Sequence, residues 1–354
     1  MSNRNKFTIP LALRGLSKRN NVEMLVVGGD IGGTKTNLAV YEALNGLLTV
    51  KHKASYPSAD YTSVLTMLDG FLAEAGVSPV SICLGVAGPV MHGKVKLTNL
   101  SYTIDSEEIA RHYGLASVTL INDLEATAYG LPQLDRDQVI TLIGEEDIQP
   151  GNMAILAPGT GLGEAGLFWD GECYRPFATE GGHCNFAPRT DLDVELFQWL
   201  RSQYGVVSWE RVLSGPGIAS IHQFLVEVKK RSVSAAHAEA VQYASESKNL
   251  PALISGAALE NAEPVCIEAM QLFVQYLAHE SANLVLKMKA TGGLLLGGGI
   301  PPKISSLLTS GQFTEAYLDA GAMRHLIEDV PVYIINNDRA ALLGAGNFAA
   351  YGKA

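Results

Sequence analysis

Apolar residues in this chain gather into short runs, and several of these runs end in clusters of glycine and threonine. Leu25-Val26-Val27 leads into Gly28-Gly29-Asp30-Ile31-Gly32-Gly33-Thr34-Lys35-Thr36-Asn37 and resumes as Leu38-Ala39-Val40. The pattern predicts strand, tight loop, strand over 24–41. From Tyr61 to Ala75, Val64, Leu65, Leu68, Phe71, Leu72 and Ala75 recur at helical spacing and predict an amphipathic helix. Ser81–Val86 and Val118–Ile121 predict buried strands, the first running into Gly85-Val86-Ala87-Gly88-Pro89 and the second into Asn122-Asp123. Leu124 to Tyr129 starts a helix that Pro132 breaks.

Gln133 to Pro150 is more polar, holds Glu145-Glu146-Asp147, and marks a crossing into a second domain. Beyond it the opening design returns. Met153-Ala154-Ile155-Leu156-Ala157 enters Pro158-Gly159-Thr160-Gly161-Leu162-Gly163 and leaves as Ala165-Gly166-Leu167-Phe168-Trp169, about 130 residues after the first copy. Two such hairpins predict two related domains, each lending one Gly/Thr loop to a shared cleft. Gly161-Leu162-Gly163-Glu164-Ala165-Gly166 also fits the dinucleotide pattern GxGxxG. That pattern needs a helix at this point, and here a strand and a turn follow, so the dinucleotide reading is rejected. Helices are predicted over 194–204, 217–228 and 264–289. Leu294-Leu295-Leu296 predicts a strand entering Gly297-Gly298-Gly299, Val332–Ile335 a late strand, and Ala340–Ala350 a closing helix that returns to the first domain.

A chain of 354 residues is long for one core and points to two domains. The net charge of −10 argues against nucleic-acid binding and means that phosphates must be held by local donors. No apolar tract reaches the ~18 residues of a membrane span. The four cysteines, Cys83, Cys173, Cys184 and Cys266, lie far apart and fit a reduced, cytoplasmic setting. Residues 1–22, with Arg4, Lys6, Arg14, Lys18 and Arg19 and no acid, predict a flexible tail.

Candidate chemistry lies where the strands end. Glycines in the 28–33 loop admit close approach of a ligand, and backbone N–H groups with threonine hydroxyls can cradle an anion. Asp30 would repel a bare phosphate, so it suggests an intervening Mg²⁺. The loop is not a Walker A motif, since Thr34 stands where that motif needs Lys. Asp123 is a candidate general base, with a helix N-cap as its structural alternative. Glu180-Gly181-Gly182-His183 could turn a carboxylate and an imidazole towards one polyol, or form a simple turn. Zinc at His183 and Cys184 lacks the further ligands a closed site needs. Glu210, a lone acid before Arg211, reads as solvated or as paired with a neighbour such as Arg211. Ser214-Gly215-Pro216-Gly217 leads to a helix N-terminus, and Gly297 to Gly299 leaves room for a flat base.

In family order, Gly29-Asp30-Ile31-Gly32-Gly33-Thr34, Ile121-Asn122-Asp123-Leu124-Glu125-Ala126, Ala157-Pro158-Gly159-Thr160-Gly161-Leu162-Gly163, Glu180-Gly181-Gly182-His183-Cys184-Asn185-Phe186-Ala187-Pro188, Glu210 to Gly217 and Gly297-Gly298-Gly299-Ile300 resemble the bacterial ATP-dependent glucokinases. These belong to the hexokinase–actin–Hsp70 ATPase superfamily. The resemblance implies an α/β, two-domain actin-like ATPase (ribonuclease H-like) fold, with a small and a large domain around a central cleft. The small domain would be 23–133 plus 336–354 and the large domain 134–335. It implies transfer of the ATP γ-phosphoryl group to the 6-hydroxyl of glucose, with Mg²⁺. Asp123 would be the base, and Asn122, Asp123, Glu180, His183 and Glu210 would bind the sugar. Asp30 would act on Mg²⁺. Gly32, Gly33, Thr34, Gly159, Thr160, Gly161, Gly298 and Gly299 would hold the nucleotide. A homodimer is expected, and no nucleic-acid or membrane partner.

The family commonly has Arg where this chain has Asn37, and Gly33-Thr34-Lys35-Thr36 is similar to a sibling group of sugar kinases and sugar-responsive repressors. That group carries a clustered-cysteine zinc motif after the sugar-loop His, absent here, so the glucokinase branch is favoured. Kinases of mannose, glucosamine or N-acetyl-hexosamine, a sugar sensor and an actin-like ATPase remain as alternatives.

Overall fold

The computed structural model describes residues 6–97, 100, 102–144, 150–246 and 249–353. Arg4 and the Glu145-Glu146-Asp147 run lie outside these. The chain divides into two compact units: Met1–Val139 with Leu167–Ala178 and Asn337–Ala354, and Ile140–Gly166 with Thr179–Asn336.

In the first unit β1 (Met24–Ile31), β2 (Lys35–Leu44), β3 (Leu47–Pro57), β4 (Ser81–Val86) and β7 (Val118–Asn122) form one sheet, and β5 (Lys94–Lys96) pairs with β6 (Thr103–Asp105). The order is β3-β2-β1-β4-β7. β1 and β2 are an antiparallel hairpin, whereas β1, β4 and β7 run parallel, so Asp30, Gly85 and Ile121 share one end. Alternation along β1 sends Val27 and Ile31 to one face, against the helix Val64–Ala75, and Val26 to the other, against the helix Ala340–Tyr351. The first of these helices starts at Val64 rather than Tyr61, because the Ser63 side chain caps it by accepting from Thr66 N. β3 has no apolar run because it is an edge strand with Lys51 and Lys53 among its residues.

The closing helix Ala340–Tyr351 does return to the first unit. A Cβ on Gly344 would overlap the carbonyl oxygen of Ala126 in the helix Asp123–Gly130, so glycine alone permits this crossing. The described part of the expected tail, residues 6–22, is held in place. Phe7 and Ile9 are buried, Phe7 N donates to Leu134 O (3.0 Å), Ala12 N to Tyr174 O (2.9 Å) and Gly15 N to Tyr351 O (2.8 Å). Burial of two apolar side chains and this backbone pairing outweigh the disorder its basic composition suggested.

The second sheet contains β8 (Val139–Ile143), β9 (Met153–Pro158), β10 (Leu162–Trp169), β11 (Tyr174–Thr179), β12 (Gly293–Leu296) and β13 (Val332–Ile335), in the order β11-β10-β9-β12-β13-β8. β12 runs parallel to both β9 and β13. Counted from β1 and from β9, both sheets place their strands third, second, first, fourth, fifth, with β8 added at the far edge. The repeated hairpin in the sequence is thus part of a repeated sheet. Gly161 to Gly166 runs into β10 and starts no helix. Leu156, Leu294, Leu296, Val332 and Ile334 form a core with Phe224 and with Phe273 and Leu277 of the helix Pro264–Met288.

Candidate active site

In the first unit the loop 32–34 is tightly braced. Gly32 N donates to Lys35 O (3.0 Å), Ser58 Oγ donates to Gly32 O (2.7 Å), and Ser58 N donates to Thr34 O (2.9 Å). Asn37 lies opposite Asp30 in the hairpin, and its Nδ2 donates to Asp30 Oδ2 (3.2 Å) while its Oδ1 accepts from Ser55 Oγ (2.7 Å). The residue that departs from the family pattern therefore orients the candidate metal carboxylate. Burial raises the Asp30 pKa and the charge of Asp338 adds to this; Asn37 and Lys35 oppose it. A carboxylate penalised by burial and by a second acid suits a cation.

Asn122 ends β7 and caps the helix Asp123–Gly130: its Oδ1 accepts from Leu124 N (2.9 Å) and its own N–H donates to Glu125 Oε2 (3.2 Å). The structural role weighed for Asp123 thus belongs to Asn122. Asp123 is the first helical residue, accepts from Leu124 N (3.0 Å), and stays half-buried. Gly85 of β4 lies between the two sites: a Cβ there would be 3.5 Å from Gly29 O and 3.9 Å from Asp123 Cα. Asp30, Asn122 and Asp123 therefore share the carboxyl edge of the first sheet, the usual place for chemistry in α/β folds.

In the second unit four loops converge beyond the carboxyl ends of β9 and β12. The loop at 159–161 closes through Gly159 N to Gly161 O (2.8 Å), and Gly159 O accepts from Gly215 N at the start of the helix Gly215–Glu227 (2.8 Å). Gly298, at φ 77°, lies against Pro158 O, and Ile300 N donates to the same oxygen (3.3 Å). Glu210 is half-buried and forms no salt bridge with Arg211. Its Oε2 accepts from Leu162 N (2.9 Å), and a Cβ on Gly161 would be 2.5 Å from that oxygen. Arg211 instead stacks on Tyr204 at 4.0 Å. Glu180 and His183 are exposed, with His183 Nε2 4.0 Å from Glu180 Oε2. Their loop joins the Glu210 segment through Trp209 N to Cys184 O (2.9 Å).

Two buried acids beneath this loop, Glu164 and Glu280, and the exposed Lys287 that pairs with them escaped the sequence reading. Glu164 of β10 hydrogen-bonds with Glu280, and its Oε1 is buried without a partner among the described residues. A Cβ on Gly181 would overlap its carboxylate. Lys287 Nζ is 2.7 Å from Glu280 Oε1 and 4.0 Å from Glu164 Oε2, and Asn283 donates to Glu280 Oε2 (2.8 Å). Burial first, then the Glu280 charge, pushes the Glu164 pKa up to about 7, against the pull of Lys287. Burial disfavours the Lys287 charge, but the Glu280 bond and both carboxylates outweigh it and raise its pKa. The available signal was an acid inside an otherwise apolar strand.

With this geometry in view, the chain matches the Glucokinase family over residues 27–351. It belongs to that family. It is 36% identical over 338 residues to a glucokinase of Nostoc sp., covering 92% of this chain and 99% of the relative. It resembles the crystal structure of a glucokinase from an Antarctic psychrotroph at 31% identity and a TM-score of 0.77, covering 92% of this chain and 98% of that one. A glucokinase from Streptomyces griseus of the ROK family, solved with glucose and AMPPNP, shares the fold at 20% identity and a TM-score of 0.61, covering 92% and 99% of the two chains. The fold is the two-domain actin-like ATPase fold expected from the family. No helix among the described residues is long and apolar enough to cross a membrane.

Proposed function

We propose that this chain is an ATP-dependent glucokinase that transfers the γ-phosphoryl group to the 6-hydroxyl of glucose, giving glucose 6-phosphate and ADP. The family match across nearly the whole chain carries this reading. The two units would serve as small and large lobes, near 23–133 plus 336–354 and 134–335. Asp123 accepts the proton of the 6-hydroxyl as that oxygen attacks the γ-phosphorus in line with the departing β-phosphate oxygen. Asn122, Glu180, His183 and Glu210 bind the sugar hydroxyls. Glu210 also ties the second phosphate loop to the sugar side through Leu162 N, which supports a shared position for both substrates. Gly32, Gly33, Thr34, Gly159, Thr160 and Gly161 donate to phosphate oxygens, and Gly298 and Gly299 lie beside adenosine. Asp30, with Asp338 nearby, would hold Mg²⁺. When bound, the ion neutralises charge on the β- and γ-phosphates. Since there is little covalent work for side chains in phosphoryl transfer, these groups act mainly by positioning. The proposal includes a cytoplasmic setting and a homodimer.

ADP release measured with and without glucose tests it. Glucose-dependent release with glucose 6-phosphate as product is the expected result. Sugar-independent release would favour an actin-like ATPase, and sugar binding without release a sensor. A panel with mannose, glucosamine and N-acetyl-hexosamine ranks the acceptors.

A further inference from the structure

Three polar side chains on three helices of the second unit meet inside its apolar core. His222 lies on the helix Gly215–Glu227, His237 on Ala235–Glu246 and Cys266 on Pro264–Met288. All three are buried, Cys266 completely. Their donor atoms, two imidazole nitrogens and a sulfur, all lie within 4.8 Å of one another. His222 Nε2 is 3.0 Å from His237 Nε2, and Cys266 Sγ is 3.4 Å from that same nitrogen.

Hydrogen bonding alone serves this arrangement badly. An imidazole nitrogen has either one N–H or one in-plane lone pair. His237 Nε2 can therefore satisfy His222 or Cys266 but not both, although both press on it. A buried polar group left unserved costs about 1–3 kcal/mol. Two imidazole nitrogens and a sulfur, all within 4.8 Å of one another, are instead a donor set that suits a cation. Two imidazoles and a thiolate select a borderline or soft d¹⁰ ion, whose tetrahedral or trigonal ligand spacings are a little wider than the two contacts at His237 Nε2.

We propose that His222, His237 and Cys266 form a binding site for one d¹⁰ cation, Zn²⁺ or Cu⁺, that staples three helices of the second unit. Burial keeps the His222 pKa down near 4, so its ring is neutral and ready to ligate at neutral pH. Burial also pushes the Cys266 thiol up to about 12, and binding releases its proton to solvent as the metal–sulfur bond forms. Glu263, buried and held by Ser234 Oγ (2.7 Å), supplies negative charge nearby. The role is structural: none of the three is among the residues assigned to substrate, so loading raises stability and leaves phosphoryl transfer in place.

The test uses the full chain, stripped with chelator. Added Co²⁺, a spectroscopic substitute for Zn²⁺, is expected to give a near-ultraviolet thiolate-to-metal band with one ion per chain. Zn²⁺ should displace it, and Zn²⁺ or Cu⁺ should raise the melting temperature by several degrees. Cys266→Ser should abolish the band, and His222→Asn should weaken binding at least tenfold, with glucose phosphorylation retained as the control for folding. A thiolate band unchanged in Cys266→Ser would assign it to another cysteine, such as exposed Cys184, and overturn the proposal. So would the absence of any band, or a melting temperature unmoved by Zn²⁺ and by Cu⁺. Loss of kinase activity in every preparation would count against the kinase reading and leave the metal readout standing.

Discussion

Glu164 is the place to perturb the buried charge beneath the Glu180 loop. Two carboxylates, Glu164 and Glu280, share one ammonium, and Lys287 favours Glu280: 2.7 Å against 4.0 Å. Glu164 is thus the group that keeps its proton, donating to Glu280, until the pH reaches about 7. In the unfolded chain it would release that proton near its ordinary value of 4.5. The folded state therefore binds more protons between these values, and stability falls as the pH rises through that window. At about 1.4 kcal/mol per pH unit, the cost above pH 7 is on the order of 3 kcal/mol. Glu164→Gln is neutral at every pH, and its amide can donate to Glu280 where the carboxyl did. Urea unfolding of both proteins at pH 5 and pH 8.5 measures the effect. The expected result is near equality at pH 5 and a variant more stable at pH 8.5, by up to ~3 kcal/mol. A stability difference that is the same at both pH values would refute the reasoning, because the shared proton would then not be the source of the cost.

Other residues give independent checks. Asp123→Ala should lower kcat at least ~100-fold, the low end for losing a general base, with the circular dichroism spectrum unchanged; a variant that keeps most of its turnover removes Asp123 from that role. Glu180→Gln should raise the KM for glucose more than the KM for ATP, and equal losses in both would mark the residue as structural. Gly344→Ala places a methyl on the Ala126 carbonyl, which the backbone cannot avoid. It should cost ~3 kcal/mol or more and lower the melting temperature markedly; a wild-type melting curve would contradict the helix crossing.

Much of the fold was legible because it depends on local pattern. Buried parallel strands are continuous apolar runs, and Ser81–Val86 and Val332–Ile335 appear with the same bounds in sequence and structure. Strands and helices without such a signature were missed. β3 is polar because it is an edge, and β11 is a short strand with mostly exposed or half-exposed residues. The helix Ser106–Tyr113 buries only Ile109, too little to stand out as a stripe. The N-terminal segment misled because net basicity describes a composition, whereas Phe7 and Ile9 find partners that composition does not reveal.

What this sequence determined by itself is the set of loops: glycine, threonine and acid at strand ends, repeated about 130 residues apart, in an order that specifies a family. Turn geometry and period-two or helical spacing are local properties, and a local window contains them. Only the tertiary structure decided which side chains bear on one another. It set Asn37 on Asp30, tied Glu210 to Leu162, and buried Glu164 with Glu280 beside an exposed Lys287, across more than a hundred residues of chain. Desolvation and Coulomb energy depend on distance in space, and no spacing along the chain encodes that distance.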